Sequence, residues 1–487
     1  MEISSEIIFN KGEIMKVFEN FKAISAIPRE SGNEEGIRTY LVKWAKDNNF
    51  KYVIDKIGNV IVYCEATKGY EKVPPLALQG HMDMVCVKTL DSKHDFEKDG
   101  IEIYEDGDFL RAKDTSLGGD NGIALAMVMD VFTDPNCKHG PLEAIFTVSE
   151  ETGLTGAFNL DASLIKSKKL INLDSEDEGI IYIGCAGGSD VTAKLKVTEK
   201  PLPSEFETLS LEVKNLKGGH SGGEIHLQRA NAIKLLARIL HEITNTIDIM
   251  LSDFKGGTKH NVIPFQAKTV FSFDKKYKTK VFDIIEEMGK KIKDEYKIQD
   301  PDITFIKKSV EETKAVDAKV SKSFINSLFL TPHGVQAMSF AIKGIVETSA
   351  NLAIVNFENE TFSVSTSQRS NVESSRDNIS EVVAQALKTS GAKVEIGNGY
   401  PSWAPNPNSE LAAFCSKAYK ELTGKKAEVT AIHAGLECGI INSKIEGMDS
   451  VSIGPDIWDV HSTSEHLSIS STLNVLAFLK HLLEIIK

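Results

Sequence analysis

The chain has 487 residues, and its 69 acidic against 56 basic side chains give a formal net charge of −13. The length suits two large domains or about three ordinary ones, and acids spread along the whole chain argue against nucleic acid and against an anionic membrane as partners. No apolar run could span a bilayer, the opening MEISSEIIFNKGE lacks a basic start followed by an apolar core, and six scattered cysteines show no CxxC or framework spacing, so a soluble cytoplasmic protein with reduced thiols is expected.

Ile14, Val17, Phe18, Phe21 and Ile24 recur at helical spacing and predict a helix over 12–27 that Pro28 closes. Ile37, Leu41 and Trp44 share one face of a second helix starting near Asn33. Residues 52–63 turn β-like around Gly58 and Asn59. LALQGHMDMV, over 76–85, then reads as a buried strand ending after Gly80 in His81 and Asp83. Ligands of open α/β sheets collect beyond such strand ends. After a hairpin expected about 101–112, Gly118 and Gly119 allow a tight turn, and Asp120 falls at a helix N-terminus, where partial positive charge favours a carboxylate. A strand over 142–148 runs into Ser149, Glu150 and Glu151, adjacent acids expected to point opposite ways and so to do two jobs at one site. The strand over 170–173 runs into Asp174, while the acids at 176–178 read as a solvated loop.

The glycine-rich GCAGG at 184–188 precedes a change of texture. Strands at 209–213, 269–273, 352–357 and 361–365 alternate there with helices at 226–243, 277–295 and 372–391, which reads as an inserted α/β domain over 188–398. Residues 399–487 hold a helix at 408–423, a strand near 450–453 and an amphipathic helix from 471. They are too few to stand alone and are expected to complete the sheet of residues 1–187. The fold class is α/β: an open mixed sheet flanked by helices, with an inserted α/β domain.

Each polar residue at these strand ends has a plain alternative. His81 with Asp83 could be a hydrogen-bonded pair, and Asp120 a helix cap. Jointly, so many acids and imidazoles at the same edge of a parallel sheet would pile up charge that cations resolve. Counting donors suggests two ions bridged by Asp120, with Glu151 and His461 on one and His81 and Asp174 on the other; His466 is the alternative to His461. Mixed imidazole and carboxylate donors suit zinc, cobalt or manganese, which activate a shared water. Glu150, beside a ligand, is placed to act as general base, and Asp83 to orient His81.

The motifs LQGHMDMV, DTSLGGDNGIALA, VSEETGLTGA, NLDSEDEG, KGGHSGGEIH, HAGLECG and HSTSEHL, in this order, resemble the aminoacyl-histidine dipeptidases of the M20 metallopeptidase family, also called Xaa-His dipeptidases or carnosinase-type peptidase D. The resemblance spans nearly the whole chain. It implies a zinc-peptidase-like catalytic domain over 1–187 and 399–487, with a lid over 188–398. By it, His81, Asp120, Glu151, Asp174 and His461 hold two divalent ions, zinc with cobalt or manganese as substitutes. Glu150 is the base, Asp83 steadies His81, and a cis peptide joins Asp120 to Asn121. His220 would polarise the scissile carbonyl, Asn261 and Arg369 would hold the substrate's polar end, and Gly435 would contribute backbone. Near relatives commonly carry a proline two residues after the last histidine ligand, where this chain has Thr463. The implied partner is a small unblocked dipeptide of Xaa-His type, with no nucleic acid and no membrane, in a homodimer. The same centre could serve an amidohydrolase of N-acyl amino acids or a carboxypeptidase. A silent metal-stabilised binding protein is the reading from another class, and the presence of Glu150 speaks against it.

Overall fold

In a computed structural model, residues 11–486 are described, with side chains from Lys16 onward. Residues 1–10 of the opening read for a leader, and the side chain of Ile14, lie outside the described residues. The first helix, Lys11–Ser25, ends before Pro28, and the second, Glu35–Asp47, buries Ile37, Leu41 and Ala45.

The β-like stretch resolves into the antiparallel strands Lys51–Ile54 and Val60–Cys64. They begin a sheet that continues through Leu142–Thr147, Leu76–His81, Lys169–Asn172, Asp449–Ser452, Ile180–Cys185 and Glu428–Ile432. Leu142–Thr147, Leu76–His81, Lys169–Asn172 and Asp449–Ser452 run parallel, and antiparallel strands flank them, so the sheet is open and mixed as expected. Every residue of Leu76–His81 and Leu142–Thr147 is buried, the mark of strands covered on both faces. Helix Gly119–Thr133 lies so close to the first of these that a Cβ on Gly80 would sit 2.5 Å from Asn121 Oδ1 and 2.8 Å from Ala124 Cβ. The expected hairpin, Ile103–Asp106 with Phe109–Ala112, gains Ile457–Trp458 and His466–Ser468 as further antiparallel strands. The loop bearing His461 is therefore held at both ends.

The chain divides into two compact units, Met1–Gly184 with Pro405–Ala431 and Leu436–Lys487, and Cys185–Ala404 with Ile432–Gly435. The divisions fall at 184/185 and 404/405, not at 187/188 and 398/399, because the two crossing segments pair with each other, Cys185 with Trp403 and Gly188 with Tyr400. The second unit is built on a nine-stranded sheet whose neighbours all pair antiparallel, in the order Thr304–Val310, Phe206–Lys214, Ala267–Asp274, Ile249–Gly256, Val346–Glu358, Thr361–Ser370, Gly187–Lys196 and Lys393–Ile396, with Gly334–Met338 also on Val346–Glu358. Helices Ala232–Thr244, Lys278–Glu295, Ala318–Leu330 and Glu373–Lys388 pack with it around one core that includes Leu236, Ile285, Phe324 and Val383. The helix expected over 226–243 begins only at Ala232: Gln228 has φ 51°, and the Asn231 side chain caps the amides of Ile233 and Lys234. Glu437–Lys444 was invisible to periodicity because Glu437, Cys438, Gly439, Ile440 and Ile441 are buried around its whole circumference.

Candidate metal centre

Within the first unit, strand ends, a helix start and a loop bring five of the predicted donors together. His81 Nε2 lies 3.1 Å from Asp120 Oδ1 and 3.3 Å from Asp174 Oδ1. His461 Nε2 lies 3.2 Å from Asp120 Oδ2 and 3.0 Å from Glu151 Oε1. Asp120 thus turns one carboxylate oxygen to each imidazole. Donor atoms of His81, Asp120 and Asp174, and those of Asp120, Glu151 and His461, form two groups whose members lie within 4.8 Å of one another; His81, Glu150 and Glu151 form a third. His466, the alternative to His461, instead stacks on Trp458 with ring centroids 5.2 Å apart.

The local chain explains the convergence. Strand Leu142–Thr147 ends before Ser149, whose φ of 49° turns the backbone, so strand alternation does not govern Glu150 and Glu151 as expected, and both belong to one donor group. Asp83 Oδ1 accepts the amide of Glu150 at 3.0 Å, and Oδ2 accepts that of Glu151 at 3.2 Å and the Ser31 hydroxyl at 2.7 Å. The peptide between Asp120 and Asn121 is cis, and His461 has φ 60°. A positive φ at a histidine is uncommon and is held here by the strands on either side.

One level below the donors, each parallel strand contributes one buried polar side chain to a transverse ladder. Gln79 Nε2 bonds Thr147 Oγ1 at 3.2 Å, Asn172 Nδ2 bonds Gln79 Oε1 at 2.5 Å, and Ser452 Oγ bonds Asn172 Oδ1 at 2.5 Å. Glu437 Oε2 accepts from both Gln79 and Thr147, at 2.5 and 2.6 Å. Gln79 and Asn172 precede His81 and Asp174 by two residues. Slipping either strand would break the ladder and move its ligand together, so satisfied buried bonds fix the register of the donors.

The electrostatics of this donor set fit divalent cations. His81 Nδ1 lies 3.1 Å from the Asp83 carbonyl and 3.3 Å from its carboxylate, both acceptors, which puts a proton on Nδ1 and turns Nε2 toward the acids. Burial alone would lower the His81 pKa, yet Asp174 and the bonds to Asp120 raise it well above the ordinary value. Partial burial likewise opposes protonation of His461, but its bonds to Asp120 and Glu151 raise it to about 11. Burial lifts Asp174 to about 6 and Glu150 well above the carboxylate range, and the negative neighbours add to both shifts. The crowded acids thus push both imidazoles up, and burial with their like-charged neighbours pushes Asp174 and Glu150 up, the charge stress that a pair of cations relieves where such donors meet.

In the second unit, the four other predicted residues also converge. Gly223 N donates to His220 Nδ1 at 3.0 Å, which leaves the neutral ring's proton on Nε2. The Asn261 carbonyl accepts the Ser221 amide at 2.8 Å. Arg369, buried on strand Thr361–Ser370, donates from Nη1 to the Tyr400 hydroxyl at 2.8 Å, while its Nε has no hydrogen-bond partner among the described residues. Gly435 lies against the same tyrosine, where a Cβ would come within 2.9 Å of the ring.

His433, beside this cluster, carries a prediction. Its Nε2 accepts the Ser349 hydroxyl at 2.7 Å, its Nδ1 faces Asn371 Oδ1 at 3.4 Å, and burial with the Arg369 charge pushes its pKa down to about 3. The unfolded chain takes up a proton below about 6.5 that the folded chain refuses until about 3, so this group's contribution is complete above 6.5 and is lost as pH falls between those values. The slope it contributes approaches about 1.4 kcal/mol per pH unit. Urea midpoints measured from pH 6.5 to 4 should fall more steeply for the wild type than for His433→Gln; equal slopes would exclude His433 as the acid-sensitive group.

Arg29, Glu34, Glu437 and Glu465 emerge only from the structure, all buried charged residues in contact with the turns or strands that carry donors. The available signal was position alone: Arg29 and Glu34 fall between two helices, and Glu465 follows His461 by four residues.

Residues 77–485 match the family described as Peptidase family M20/M25/M40. Over 465 residues, 95% of this chain and 96% of the relative, the sequence is 39% identical to the cytosol non-specific dipeptidase of Escherichia coli (strain K12). The crystal structure of aminoacylhistidine dipeptidase from Vibrio alginolyticus superposes with a TM-score of 0.88 at 36% identity, covering 100% of this chain and 98% of that one. A tripeptidase from Staphylococcus aureus shares the fold, with a TM-score of 0.56 at 16% identity over 97% of this chain and 98% of its own.

Proposed function

Because this chain belongs to peptidase family M20/M25/M40 and is thereby a metallopeptidase, we propose that it hydrolyses dipeptides, Xaa-His and related short unblocked peptides, at a centre of two divalent ions. The observation that carries the reading is Asp120 facing His81 with one oxygen and His461 with the other, each pair completed by a further acid. His81, Asp120 and Asp174 would hold one ion and Asp120, Glu151 and His461 the other. Zinc suits this mixed set, with cobalt or manganese as substitutes. When bound, such ions polarise a carbonyl and lower the pKa of water.

The chain's own groups supply the proton traffic and the grip. Glu150 takes a proton from the attacking water as its oxygen adds to the peptide carbon, then gives it to the departing amine as the C–N bond breaks. Its donor atoms lie beside those of His81 and Glu151, with its backbone held by Asp83, which suits it to carrying that proton between the two steps. Asp83 holds the backbone of Glu150 and Glu151 and the tautomer of His81. His220 would donate its Nε2 proton to the carbonyl oxygen as charge develops there. Asn261, the Gly435 backbone and the Arg369 fork would hold the substrate's polar end, the last as partner of its carboxylate. Residues of the first unit would thus act as the catalytic domain and those of the second as the lid.

Removal of metal by a chelator should abolish dipeptide hydrolysis, and zinc, cobalt or manganese should restore it; a rate untouched by chelation would end the metal reading. Assayed side by side, carnosine-like dipeptides should be cleaved faster than tripeptides and N-acetyl amino acids, and the reverse order would move the enzyme to acyl-amino-acid hydrolysis. A cytosolic setting accords with the E. coli relative's description, and no described helix is long and apolar enough to cross a membrane.

A further inference from the structure

Two buried, oppositely charged side chains grip one peptide group from either side. Arg29 is 1% exposed and Glu465 4%. Arg29 Nη2 donates to the Gly118 carbonyl, and Nη1 donates to the carbonyls of Met82 and Asp83 at 3.2 and 2.9 Å. Glu465 accepts the amides of Leu117 and Gly118 on Oε2, at 2.8 and 3.1 Å, and those of Gly119 and Asp120 on Oε1, at 2.8 and 3.4 Å. Gly118 has φ 68°, and a Cβ there would lie 2.7 Å from Met84 Sδ, so the grip requires glycine. Arg29 therefore ties the tip of the His81 strand to the Asp120 turn, and Glu465 ties that turn to the segment that carries His461.

We propose that Arg29 and Glu465 are positioning residues that clamp the Gly118 peptide between them, so that Asp120 faces His81 and His461 before any cation arrives. The inference rests on the metallopeptidase reading above. Neither residue touches substrate in this scheme. An open turn would need ordering at the moment of metal capture, whereas a clamped one presents donors already in place, and groups that orient ligands in this way typically contribute about 10- to 100-fold in metal affinity or activity.

Zinc affinity of the apo-protein, measured by competition with a chelating dye, is the test, with Co(II) absorption spectra and a kcat and KM pair for a carnosine-like dipeptide. Glu465→Gln keeps the side chain's shape but turns an amide N–H toward backbone N–H groups; Arg29→Lys keeps the charge but loses the fork. Each variant should bind zinc about 10- to 100-fold more weakly, alter the Co(II) spectrum and lower kcat while KM stays within about twofold. Folded variants with wild-type zinc affinity and spectrum, differing only in melting temperature, would reduce the clamp to a structural role and overturn the proposal. Should the variants not fold, hydrogen exchange on the wild type decides. Amides of residues 117–120 that are protected without metal support the clamp, and amides protected only after zinc is added refute it. A wild type that binds no zinc at all defeats the metal reading itself, whereas normal binding with unaffected variants defeats the clamp alone.

Discussion

Glu150→Gln is expected to retain both cations and to lose on the order of 10³-fold in kcat for dipeptide hydrolysis. The amide matches the carboxyl in size, so the Asp83 bonds to the amides of residues 150 and 151 survive, and His81, Asp120, Asp174, Glu151 and His461 remain as donors. What disappears is a group able to take a proton from water and give it to an amine. The loss should fall on kcat, with KM little changed, because no substrate-holding role is assigned to Glu150. Glu150 also belongs to a donor group with His81 and Glu151, so metal analysis has to accompany the kinetics. Two ions per chain with a collapsed kcat identify a base, whereas one ion per chain would make Glu150 a ligand. A variant with near-normal kcat would remove it from the mechanism.

Legibility in the sequence followed the range of the forces involved. His81 and Asp174 could be read as strand-end residues because an apolar run followed by a polar side chain is a local pattern, and parallel neighbours then carry such ends to the same edge. The parallel centre of the sheet was equally readable, since strands spaced by helical segments make crossover connections, whereas the antiparallel flanks followed only from the family resemblance. The turn ahead of Glu150 and Glu151 was not legible, because it rests on a single positive φ at Ser149 and nothing about a serine announces it. The unit boundary moved because pairing of Cys185 with Trp403 is a contact across more than two hundred positions of chain. Arg29, Glu437 and Glu465 stayed hidden for a related reason. A buried charge looks in sequence like a surface charge, and only the carbonyls, amides and hydroxyls gathered around it in space distinguish the two.

Asp120→Asn should cost the protein at least one of its two cations and nearly all of its activity, a loss at least as large as that of Glu150→Gln. Asp120 is common to the group with Asp174 and the group with His461, and its two oxygens are directed separately at the two imidazoles. An amide supplies one oxygen; in either rotamer its nitrogen faces one of the two donor sets, where it offers a lone pair to neither a cation nor a proton. One set then keeps a neutral oxygen and the other keeps only an acid and a histidine. Zinc bound to the native state alone stabilises it by about 4 kcal/mol at a thousandfold excess over its dissociation constant. The zinc-dependent rise in melting temperature seen for the wild type should therefore shrink in Asp120→Asn, in step with an elemental analysis that finds one ion or fewer per chain. The weakened partner should be identifiable as well: if the introduced amide nitrogen turns to His461, further replacement of Glu151 by Gln should remove little additional metal, while replacement of Asp174 by Asn should remove what remains. Two tightly held ions and an unimpaired rate in Asp120→Asn would mean that the donors facing one another at 3.0–3.3 Å are an ion-pair network and not a ligand set.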